Sequence, residues 1–183
     1  MRNFTNTPST SDEQEKIISL IKEAFSDVPV PSKMTLHVAE AHDDYDYDHD
    51  TEHRKKDHLG HWMDIPETHF LKCQNALAHL DKEGIQYYLP ALMIWVLKNY
   101  KEDYWIISTT LYTLGTNDKN SSTYDYNNER YSLFTKKQIQ ACIDFLKYLV
   151  THDPHGDYID TEHIKKALEL RWLPYIEKLE NHF

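Results

Sequence analysis

The chain has 183 residues and a formal charge of −10 with histidines neutral, a length that suits one domain with a core of ordinary size. A hydrophobic share of 40% with 27% charged residues is the balance of a globular chain, not of a disordered one. The acidic excess argues against nucleic acid and anionic lipid as partners. Only four glycines and no GxGxxG, GxxxxGK[ST] or GxSxG leave no phosphate-cradling loop or nucleophile elbow, and the longest apolar run, "LPALMIWVL", is too short for a membrane span.

Residues 1–10 read as a flexible polar lead without the apolar stretch of a signal peptide, and residues 11–183 as a single helical domain. "S-D-E-Q" at Ser11 to Gln14 has the pattern of a capping box, and Ile17, Leu20, Ile21, Ala24 and Phe25 recur behind it at helical spacing. The prolines of "VPVPS" end that helix, because each biases its predecessor toward extended backbone. A second helix starts near Thr35 and is expected to run into the Asp/His-rich stretch. Asp64, Pro66 and Glu67 open a third, with Phe70, Cys73, Leu77 and Leu80 on one face and Gly84 near its end.

The segment from Ile85 to Tyr100 is apolar all round, the mark of a central buried helix, with a kink or restart expected at Pro90. "YWIISTTLYTL", Tyr104 to Leu114, reads as helix in preference to strand, and a long polar loop follows. Thr135 to Gln138 repeats the capping box, and Ile139, Cys142, Ile143, Leu146, Leu149 and Val150 keep helical period up to His152, Pro154 and Gly156. The last helix begins near Asp160, with a kink expected at Pro174. The fold expectation is therefore all-α: a single compact domain of about six helices around the central apolar helix at 85–97. Cys73 and Cys142 fall on apolar faces outside any CxxC spacing, which predicts buried, reduced thiols and a cytoplasmic protein.

A set of short motifs keeps a fixed order along the chain. These are "AF-x-x-VP-x-P" from Ala24, "DDY" at Asp43 to Tyr45, "W-x-x-IP" from Trp62 and "YYLPA" from Tyr87, then "R-x-S-L-x-T-x-x-Q" from Arg130. In that order they resemble a bacterial helical domain family of unknown function, over roughly residues 17–175. The resemblance implies a small helical bacterial protein and carries no activity, cofactor or catalytic residue with it.

Residues 39–62, "AEAHDDYDYDHDTEHRKKDHLGHW", hold five of the twelve histidines and six aspartates. "HDTEH" fits the inverted zinc-protease pattern, with His49 and His53 as ligands and Glu52 as base, but its neighbours are polar where such helices are apolar. Asp46, Asp48, Asp50 and Asp57 reproduce part of an EF-hand spacing, yet Thr51 stands where the loop requires glycine. A mixed site of His58, His61 and a carboxylate, joined by His152, His155 or Asp157, needs convergence in space that spacing does not supply.

Against these stands a partner surface. Tyrosine offers large contact area at low entropy cost, and carboxylates steer a basic target. The candidate contact residues are Asp43, Asp44, Tyr45, Asp46, Tyr47 and Asp48, with Tyr124, Asp125 and Tyr126 repeating the theme in the long loop. The primary functional expectation is thus a cytoplasmic bacterial protein that binds a basic protein partner in an immunity-type or adaptor role, with no cofactor. The alternative is a metal-dependent, hydrolase-like enzyme using zinc at His49, His53, Asp57, His58 and His61. A third reading is a pH-responsive element, since histidine beside carboxylate titrates near neutrality.

Overall fold

A computed structural model of the chain describes residues 10–115 and 128–180. The first apolar stripe forms α1, Thr10–Ala24, which starts ahead of the predicted capping box and so carries Ser11 inside its first turn. Ile18 and Ile21 enter the core from it. Helix α2, Leu36–Asp43, follows from Thr35 as expected, but the Asp/His stretch does not extend it. A separate short helix, α3, Asp50–Arg54, forms instead. Arg54 Nη2 donates to the Pro31 carbonyl at 2.8 Å and so ties α3 to the loop before α2.

The helix expected from Pro66 to about Leu80 is broken. Its first part, α4, Glu67–Lys72, stops at Cys73, and a single 3-10 turn at Ala76–Ala78 takes over. A tertiary bond accounts for the break. The Asn75 N–H donates to the Glu40 carboxylate of α2 at 2.9 Å, and an amide held by a side chain from another helix is lost to the intrahelical ladder. Phe70, Cys73, Leu77 and Leu80 are all buried nonetheless. Apolar spacing foretold which side chains go inside, not whether one helix carries them.

At the centre lies α5, Lys82–Asn99, buried around nearly its whole circumference from Gly84 to Leu97. The Asp81 carboxylate caps it by accepting the Gly84 N–H at 2.8 Å. A Cβ at position 84 would meet the Met34 carbonyl oxygen at 2.8 Å, so glycine is what lets the chain before α2 approach this helix. The helix runs through Pro90 unbroken, contrary to the restart that the proline suggested. Helix α6, Trp105–Thr113, follows as expected. Helix α7, Lys136–His152, begins at the predicted capping box, with Thr135 and Gln138 satisfying each other's backbone N–H.

The C-terminal stretch comprises α8, Thr161–Ala167, a π-helical turn at Leu168–Trp172, and α9, Leu173–Glu180. Pro174 explains the π turn. It lacks an N–H, and its ring would crowd the Leu170 carbonyl in a regular helix, so a wider turn relieves the conflict. Trp172 Nε1 donates to the Leu114 carbonyl at 2.8 Å and fixes the wide turn against the end of α6.

One contiguous apolar cluster joins these helices, short polar α3 excepted, with α1 laid along α7 and α5 packed on α1, α6 and α7. The result is a single helical domain with no strand among the described residues. Its path is cut into more and shorter helices than the six expected. Cys73 and Cys142 are buried and unbridged. No described helix is long and apolar enough to cross a membrane.

Candidate functional site

Both ends of α2 carry unusual chemistry. At its C-terminus the chain leaves the helix through a Schellman motif: Asp46 N–H returns to the Ala41 carbonyl at 2.9 Å and Tyr45 N–H to the His42 carbonyl at 3.1 Å. That motif demands a left-handed residue after the cap, a place usually filled by glycine. Here Tyr45 fills it, at φ 63°, with 81% of its surface exposed. It is the one non-glycine residue at positive φ among the described residues. Tyr47, 56% exposed, stands edge-on to it with ring centroids 6.4 Å apart. Tyr47 also meets the His42 ring, with centroids 4.9 Å apart.

Around these rings the predicted acids divide into two groups. Asp44 and Asp48 are exposed. Asp43 and Asp46 are partly covered and bound to imidazoles. Asp43 faces His79 Nε2 at 3.2 Å, and Asp46 lies between His49 Nδ1 at 2.6 Å and His53 Nε2 at 2.8 Å. Asp50 at the start of α3 faces His42 Nε2 at 2.8 Å. The two imidazoles on Asp46 hold its carboxyl down to about 2, and Asp46 in turn raises His49 above its ordinary range. Tyr124, Asp125 and Tyr126 lie outside the described residues.

The inverted zinc-protease reading meets a specific obstacle. His49 and His53 do lie one turn apart, but the group they share is Asp46, and Glu52 points to Lys55 Nζ at 2.7 Å. His58 Nε2 and His61 Nε2 are directed at backbone oxygens, of His61 at 3.2 Å and of Ser26 at 3.1 Å. His152 is far from this set in the fold: at the C-terminus of α7 it meets the Tyr148 carbonyl at 2.9 Å and Glu13 at 3.1 Å. The five residues proposed as ligands therefore do not form one centre. Only Asp57 turns inward.

At the N-terminus of α2, Thr35 makes no side-chain cap. Asp57, from the loop after α3, substitutes for it. Its Oδ1 accepts the His37 backbone N–H at 3.1 Å and faces His37 Nδ1 at 3.0 Å. A carboxylate at this end also complements the helix dipole. His69 of α4 closes the group, its ring edge-to-face with His37 at 4.8 Å. Desolvation, then the His37 charge, hold His69 below the ordinary imidazole range. Burial, with Glu40 and Asp57 nearby, pushes the Cys73 thiol up to about 12, so it is no nucleophile at neutral pH.

The ordered motifs supply the tertiary bonds behind these features. Trp62 Nε1 donates to the Phe25 carbonyl at 2.8 Å, and Tyr87 Oη to the Gly60 carbonyl at 2.8 Å. Buried Arg130 donates to the Leu77 carbonyl. A family model described as "Family of unknown function (DUF6714)" matches residues 13–175. The chain belongs to that family. Neither curated proteins nor solved structures gave a match.

Within the DUF6714 match, the "DDY" motif is the end of α2: Asp43 bonds His79, Asp44 caps, and Tyr45 takes the left-handed turn. His37 and His69 went unnoticed in the sequence, since neither lies in the dense segment. A local hint existed for His69, which borders the apolar face one turn before Cys73. Nothing local marks His37, whose partner is twenty residues away.

Proposed function

We propose that this member of DUF6714 is a binding protein whose C-terminal end of α2 docks a basic protein surface, in the manner of a neutralising or adaptor protein. The observation that carries the reading is Tyr45. A bulky residue in left-handed backbone costs on the order of 1–2 kcal/mol, and glycine would avoid that cost. The ring is then left mostly in water, so the fold gains little from it. Strain kept at an exposed aromatic points to use of that aromatic.

Tyr47 extends the apolar contact, and Asp44 and Asp48 rim it with negative charge. This is an aromatic anchor within an acidic border, complementary to a lysine- or arginine-rich target. The two buried, unbridged thiols suit a reducing, cytoplasmic setting. Tag-free protein immobilised in its native lysate should retain a basic protein at about 50 mM salt and release most of it at about 500 mM, where screening is severe. The Tyr45→Ala/Tyr47→Ala double variant, matched in circular dichroism, should lose that protein. Equal retention by both forms at both salt concentrations would overturn the proposal.

A further inference from the structure

His37, Asp57 and His69 reach one another from three elements: the first turn of α2, the loop after α3, and the middle of α4. One donor atom from each lies within 4.8 Å of the others. The Asp57 side chain is only 1% exposed, and the capping role uses Oδ1 alone. Its Oδ2 is buried without a hydrogen-bond partner. Such an oxygen is costly to leave unsatisfied, the more so when it is charged. A cation would satisfy it.

The donor set narrows the cation. One carboxylate with two imidazoles is nitrogen-rich, which favours zinc and neighbouring transition metals over calcium or magnesium. We propose that His37, Asp57 and His69 bind one divalent transition-metal ion of the zinc class, independently of the Tyr45 surface. Zinc bonds of about 2.0–2.2 Å set tetrahedral donors roughly 3.3–3.6 Å apart. With Oδ1 kept on the α2 N–H, Oδ2 is the oxygen left to take the ion, and His37 Nδ1 already lies 3.0 Å from the same carboxylate, so the main adjustment falls on His69. Cys73, one turn beyond His69, is held as a thiol and supplies no ready thiolate.

The test uses the full chain purified without a tag, stripped with chelator, and titrated with zinc by calorimetry and with cobalt by visible absorption. One equivalent should bind, and zinc should raise Tm. His69→Ala should weaken binding by at least about 100-fold, the upper range for losing even an indirect metal partner. The His49→Ala/His53→Ala double variant should bind as wild type does. A wild-type chain with no saturable equivalent and no rise in Tm would overturn the site, whatever the variants do. So would binding that survives His69→Ala, or binding that is lost with His49 and His53.

Discussion

Replacing Tyr45 separates strain from function, because alanine and glycine remove the same ring but only glycine removes the strain. With 81% of Tyr45 exposed, about a fifth of its surface is covered. Taking roughly 200 Å² for a tyrosine, that is about 40 Å², or about 1 kcal/mol at most. Tyr45→Ala loses that cover and keeps the left-handed backbone at φ 63°, so it should destabilise by up to about 1 kcal/mol. Tyr45→Gly recovers about 1–2 kcal/mol of strain and gives back about 0.5–1 kcal/mol in unfolded-chain entropy. Glycine should therefore exceed alanine by about 0.5–1 kcal/mol, the reverse of their order in a helix interior. Urea denaturation of the three proteins, with m-values compared, measures this directly. Both variants should lose the basic partner although the glycine form is near wild type in stability. An alanine variant as stable as the glycine one would refute the strain, and undiminished binding by Tyr45→Gly would refute its purpose.

Asp57 permits a second test, since its Oδ1 takes the first-turn N–H of α2 whether or not a metal binds. Asp57→Ala should cost about 2–4 kcal/mol, whereas Asp57→Asn, which keeps an acceptor, should cost about half as much; thermal melts that place both within experimental error of wild type would dismiss the trans cap. The Asp46 pair sets a pH window. Asp46 has its folded value lowered from 3.8 to about 2, so its contribution is present above 3.8 and lost as pH falls through about 2. His49 is raised above 6.5, so its contribution is present below 6.5 and lost as pH climbs through the folded value. The urea-midpoint gap between wild type and Asp46→Asn should thus be widest between pH 3.8 and 6.5, and a gap that grows toward pH 9 would contradict the pairing.

Much of the fold was legible in the chain because helical periodicity and caps are local. Thr135 with Gln138 marked the start of α7, and the all-round apolar run marked α5 as the centre. The breaks that were missed depend on distant partners. Glu40 withdraws Asn75 from a helix that the apolar spacing would continue, and the turn at Tyr45 ends α2 where polar residues gave no stop signal. The same difference holds at the candidate sites. The exposed members of the acidic segment, Asp44, Tyr45, Tyr47 and Asp48, were recognisable from composition. The His37–Asp57–His69 group was not, because two of its members lie outside the dense histidine stretch and only the meeting of the His37 and His69 rings beside the loop after α3 unites them.

The most direct test of the binding surface is to place a photo-crosslinking aromatic at position 47 and, as a control, at Leu170, which is also well exposed but belongs to the C-terminal π turn. Irradiated in native lysate, the position-47 protein should form one dominant adduct with a basic chain. That adduct should fade with added salt, disappear when Tyr45→Ala is combined with it, and be missing from the position-170 protein. Equal adducts from both positions, or an adduct at 47 indifferent to Tyr45 and to salt, would contradict the account.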